Sequence, residues 1–148
     1  MREVPQLVAN NEEVPVTSAV YAAGVATMAK LFGGVTSVYK LMRAGKRDRD
    51  EQTDNALRAL YVALTETYAY AEELRNGKAN DRKREYEIAG LWNAASIPLR
   101  HVDRRLAERC NMKGSYWMEP EVWDAGRVRR NAITLRRMAD DTKKLLTR

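Results

Sequence analysis

Histidine and cysteine are nearly missing, with only His101 and Cys110 in 148 residues. A lone thiol cannot close an intramolecular disulfide, which fits a reducing compartment. A structural zinc site needs about four such ligands, so this pair excludes one. Di-iron helical bundles carry a Glu-x-x-His pair on each of two helices, and the sequence has no such pair. Glycine-rich phosphate loops and the G-x-S-x-G nucleophile motif are also absent. No metal and no cofactor is therefore expected. The stretch Met1 to Glu13 carries Arg2, Glu3, Glu12 and Glu13 and lacks an apolar core of signal-peptide length. A cytoplasmic protein is the corresponding expectation.

The single imidazole does not suggest an active site. His101 stands among Arg100, Arg104 and Arg105 and reads as a surface side chain in a basic patch, because catalysis needs a second group converging on it. Some helical ribonucleases place an arginine several residues before a histidine on one helix. Here Arg100 adjoins His101, which turns the two about 100° apart on a helix. A nuclease is the weaker alternative, and no catalytic residue is assigned.

Proline and glycine are scarce, at four and eight residues, and they fall where helices should start or stop. Residues 1–15, bracketed by Pro5 and Pro15, read as an N-terminal arm, and 16–148 as one helical domain. Thr17 and Ser18 can cap a first helix whose face runs Val20, Gly24, Met28, Leu31, Val35, Val38 and Met42. A second helix is expected from Asp48 or Asp50, with Leu57, Leu60, Tyr61, Leu64, Tyr68, Ala71 and Leu74 as its stripe. Asn76-Gly77 should stop it in the left-handed conformation. Asn80 or Asp81 caps a third helix with stripe Ile88, Leu91, Trp92, Ala95, Leu99, Val102, Leu106 and Cys110, which Pro98 should kink or break. Asn111 to Glu119 reads as the longest internal break. Pro120 then opens a fourth helix with stripe Val122, Ala125, Val128, Ala132, Leu135, Ala139, Thr142 and Leu145. No period-two alternation suggests a strand. The predicted fold is all-α: an antiparallel, up-down-up-down four-helix bundle with long helices.

Charge is unevenly distributed. Of the net +6, residues 1–42 contribute nothing, with three bases against three acids, and Ala59 to Leu74 holds only Glu66, Glu72 and Glu73. Arg75 to Lys113 has ten bases against five acids, and Pro120 to Arg148 eight against four. On the predicted fourth helix Arg129-Arg130, Arg136-Arg137 and Lys143-Lys144 recur every seven residues and would stack along one side for about 21 Å. On the third, Arg100 and Arg104 would share a face, as would Arg105 and Arg109. Such rows suit phosphates, whose neutralisation releases counterions. The plainer reading is a solvated face, with Asp140 reaching Arg136 and Lys144 and Asp141 reaching Arg137.

The predicted first helix is unusually apolar. No charge occurs from Pro15 to Ala29, and Lys30 and Lys40 are the only charges between Thr17 and Met42. Ala22, Ala26, Ala29 and Gly33 are small enough for close helix approach, which points to self-association. A membrane-acting bundle using this helix is the alternative, opposed by a lysine near the middle of the span. Tyr116, Trp117 and Trp123 cluster near the last turn, where they either close the core or act as aromatic anchors. The resulting expectation is a non-enzymatic, self-associating interaction protein. Its anionic partner, a nucleic acid or an acidic protein, would be met by Arg100, Arg104, Arg129, Arg130, Arg136, Arg137, Lys143 and Lys144.

Overall fold

The computed structural model describes residues 50–147, and these are helical, with no strand among them. The arm at 1–15, the predicted first helix and its small residues Ala22, Ala26, Ala29 and Gly33 lie outside the described residues. The elements are α1 (Glu51–Arg75), α2 (Arg82–Leu99), α3 (Arg104–Met118), a 3₁₀ turn (Pro120–Val122), α4 (Ala125–Arg130) and α5 (Leu135–Leu146).

Each α-helix starts on a side chain that satisfies an otherwise orphaned amide. Asp50 accepts from Thr53 N at 2.7 Å, Asp81 from Arg84 N at 3.1 Å and Asp103 from Leu106 N at 3.0 Å. Asp124 accepts from Arg127 N at 2.7 Å and Thr134 from Arg137 N at 3.2 Å. Each such cap stabilises its helix by about 1 kcal/mol. The stop at Asn76-Gly77 forms as expected: Gly77 has φ +86°, and Lys78 N bonds Glu73 O at 3.0 Å.

One expectation is met and two are corrected. Of the kink or break expected from Pro98, the break forms, and the predicted third helix is two helices. Pro98 is tolerated in the last turn of α2, the chain turns through 100–102, and Asp103 restarts it as α3. Asn111 to Glu119 is helical through Met118 instead of a break. Gly114 serves close packing here: a Cβ on it would collide with Asn93 Oδ1 and crowd Ala89 O at 3.1 Å, both on α2. The predicted fourth helix is divided into the 3₁₀ turn, α4 and α5. At Ala132, φ is +56°, Ala132 N bonds Arg129 O at 3.0 Å and Ile133 N bonds Val128 O at 3.2 Å. That is a Schellman ending completed by buried Val128 and Ile133. Among the described residues only α1, at 25 residues, reaches the expected length.

α2 packs against both α1 and α3, and α1 also meets α5. Trp92 of α2 is buried and donates its indole N–H to Thr67 Oγ1 of α1 at 2.9 Å. Trp117 is wholly buried, edge-on to Tyr70 at 5.6 Å and to Tyr116 at 5.0 Å between ring centres. A polar knot sits beside it. Buried Glu85 accepts from Tyr70 Oη at 2.9 Å, Asn80 Nδ2 at 3.3 Å and Arg82 Nη1 at 3.0 Å. Arg82 also donates to the carbonyls of Trp117, at 2.9 Å, and Met118. The start of α2 thereby caps the end of α3, where carbonyls lack helical partners.

Cys110 is buried, and burial pushes its thiol up to about 12 despite the opposing charge of Arg109. A thiol held that high is not a nucleophile near neutrality. Native protein at pH 8 should resist thiol labelling and take up one label per chain once denatured. Rapid labelling of the native protein would contradict this packing.

Candidate anion-binding cleft

Breaking the fourth helix brings the basic residues together in a different way from a straight stripe. α3 contributes Arg105, Glu108, Arg109 and Met112 to one wall of a cleft of about 650 Å³, and α5 contributes Arg137, Asp141 and Lys144 to the other. Arg130, Asn131 and Ala132 close one end where α4 passes into α5, and Asp103 lies where α3 begins. Five cations thus face three acids.

Floor and rim differ. The Arg109 and Asp141 side chains are 17% and 12% exposed and form an ion pair between α3 and α5. Arg109 Nη1 also lies 3.4 Å from Ala132 O, tying the left-handed turn to the same wall. Asp141 further accepts from Arg137 Nε at 3.1 Å and lies 3.5 Å from Lys144 Nζ. Burial raises the Asp141 pKa, but the hydrogen bonds and charges of Arg109 and Arg137 outweigh it, so the carboxyl sits below its ordinary 3.8. The stability it supplies is therefore present above that ordinary value and is lost only as pH falls through the lower folded one.

At the rim, Arg105 and Arg130 are exposed, and the Arg137 and Lys144 side chains are 55% and 68% exposed. Two of the acids are otherwise engaged: Asp103 caps α3, and Glu108 pairs with Arg104 at 3.4 Å. Among the lining residues four cations, Arg105, Arg130, Arg137 and Lys144, are exposed against one exposed acid, Glu108. No known protein family, curated protein or solved structure matches this chain.

Of the eight predicted contact residues, the cleft gathers Arg130, Arg137 and Lys144. Arg129 and Arg136 are exposed and Lys143 is half-buried, all three outside its lining. Arg100 ends α2 and Arg104 begins α3, so they occupy different helices and not one face of a single helix. Arg105 and Arg109 do share a face of α3. Their place in the cleft was hidden because their partner wall is remote in sequence. Tyr116, Trp117 and Trp123 are buried and build the core. His101 is exposed in the turn between α2 and α3 and does not line the cleft. Among the described residues, no three His, Cys, Asp or Glu side chains gather as a metal would need, and no helix is long and apolar enough to cross a membrane.

Proposed function

We propose that the protein is a non-enzymatic interaction module that binds the phosphate backbone of nucleic acid in the cleft between α3 and α5. One observation carries the reading: exposed cations from three separate helices, Arg105, Arg130, Arg137 and Lys144, line one concavity, and Asp141, which pairs with Arg137 and Lys144, is already engaged by Arg109. Phosphates spaced along a strand can meet such cations successively, releasing counterions at each contact. Phosphate contacts fix position and carry no base sequence, so binding of this kind is sequence-tolerant.

The assembly half of the proposal concerns the segment ahead of α1. In that segment the small residues Ala22, Ala26, Ala29 and Gly33 are the proposed self-association contacts with a second copy of the chain. Self-association would double the cationic clefts presented to one polymer, raising avidity without new contacts. Titration of a fluorescein-labelled oligonucleotide at increasing salt tests the nucleic-acid reading. Binding should be tight at low salt and weaken steeply as salt rises. Absence of binding at low salt, or binding indifferent to salt, would overturn it.

A further inference from the structure

A second depression adjoins the basic cleft and differs from it in chemistry. It has a volume of about 490 Å³ and is lined by Met112, Met118, Val122 and Trp123 together with the polar Ser115, Glu119, Arg127 and Asn131. Met112 and Asn131 belong to both hollows, so the two adjoin, one carrying the exposed Met118 and Val122 side chains and the other mostly cations. Met118 and Val122 are 39% and 51% exposed, unusually open for side chains of their type. Arg127 lies over the Trp123 ring, 4.0 Å from its centre, and donates to Val122 O at 2.9 Å. Trp123 is buried and Arg127 is exposed, and both line the depression. At the junction, Asn131 donates its side-chain amide to Arg127 O at 2.8 Å, leaving its Oδ1 as an acceptor.

From this juxtaposition we infer that the two hollows together take single-stranded nucleic acid, with a splayed base on the Met118–Val122–Arg127 side and the adjoining phosphates on the Arg105–Arg130–Lys144 side. The inference rests on the nucleic-acid reading above and specifies its substrate. A planar base can stack against an exposed guanidinium such as that of Arg127, which lies over an indole, and can pack its rim on Met118 and Val122. A base edge needs a donor or acceptor at the junction, where Asn131 stands. The phosphate next to that base must then meet positive charge in the adjoining hollow. Duplexes keep their bases stacked inward and would leave the Met118–Val122 side empty. An acidic peptide would match the cations but make no use of the guanidinium plane.

The test uses the full chain and three labelled probes: a 12-nucleotide single strand, its 12-base-pair duplex and poly-glutamate. Wild type should prefer the single strand by about fivefold or more at equal phosphate concentration, since each stacked base adds appreciably to affinity. Met118→Ala with Val122→Ala, both at exposed positions, should lose about five- to tenfold on the single strand and less than about twofold on the duplex. Arg127→Lys keeps the charge and removes the plane, and should reproduce part of that selective loss. Equal binding of strand and duplex, with the double variant moving neither, would overturn this inference and leave a phosphate-binding cleft intact. Binding of poly-glutamate in preference to both would overturn the inference and the nucleic-acid reading. If no probe binds at low salt, the cleft proposal itself falls.

Discussion

Changing Arg130→Glu together with Lys144→Glu should weaken oligonucleotide binding by about 100-fold at low salt, whereas Arg129→Glu with Arg136→Glu should weaken it by less than about tenfold. The two variants are matched in every bulk property. Each replaces one residue of α4 and one of α5, and each lowers the net charge from +6 to +2. They differ in place: Arg130 and Lys144 line the cleft, while Arg129 and Arg136 do not. A diffuse positive field would respond to both alike. A formed cleft responds to one, because each reversal there removes a phosphate partner and leaves a like charge against the bound strand. The fold should tolerate either pair, since all four residues are exposed. Lys144 is 68% exposed and only a 3.5 Å contact joins it to Asp141, whose stronger partners Arg109 and Arg137 remain in the variant. Affinity measured by fluorescence anisotropy, with circular dichroism to verify helicity, decides the matter. Equal losses in the two variants would remove the cleft from the account.

The largest stability effect is expected at Glu85→Ala. Glu85 is wholly buried and receives hydrogen bonds from Tyr70, Asn80 and Arg82. Removing it leaves the buried Tyr70 hydroxyl without its acceptor and Arg82 without its counter-charge. Breaking a buried, hydrogen-bonded pair from one side costs about 3 to 5 kcal/mol, and the 31% exposure of Arg82 places this case at the lower end, about 3 kcal/mol. The melting temperature should fall by roughly 10 °C. Burial, with the nearby Glu85 charge, holds the Tyr70 hydroxyl up at about 12, so it remains the hydrogen-bond donor at ordinary pH. Glu85→Gln keeps an acceptor for Tyr70 and should lose less than the alanine variant. Because Arg82 also holds the carbonyls of Trp117 and Met118, the end of α3 should loosen in Glu85→Ala. Amide exchange at 119–123 would then quicken along with the loss of stability. A melting temperature unchanged in Glu85→Ala would show that the knot contributes nothing.

Much of the helical plan was legible because it rests on local chemistry. Asp50, Asp81 and the Asn76-Gly77 stop act within one turn, and the stripes of α1 and α2 place Leu57, Leu60, Leu64, Ile88 and Trp92 in the core as the 3.6-residue period requires. The misplaced breaks share a cause: local signals were outweighed by packing. Gly114 resembles a turn residue in sequence, yet its missing Cβ admits Asn93 and Ala89 of a neighbouring helix. The apolar spacing of Val128, Ala132 and Leu135 fits a continuous helix, but that helix would leave Ile133 turned away from the stripe. Ending α4 at Arg130, with Ala132 left-handed beyond it, carries Ile133 into the core, where it is wholly buried, and its burial outweighs about 1 kcal/mol of left-handed strain on Ala132. The cleft depends on that break. Arg109 and Asp141 are 32 positions apart, and no helical periodicity could pair them. A buried isoleucine unaccounted for by the stripe, followed directly by a capping threonine, was the signal available in sequence.

The most direct test of the central claim is the salt dependence of wild-type affinity for a single-stranded oligonucleotide. If Arg105, Arg130, Arg137 and Lys144 each neutralise a phosphate, the logarithm of the association constant should fall linearly with the logarithm of salt concentration, with a slope of about −3. A slope near zero, or no measurable association at about 50 mM salt, would contradict the claim that this cleft binds a phosphate backbone.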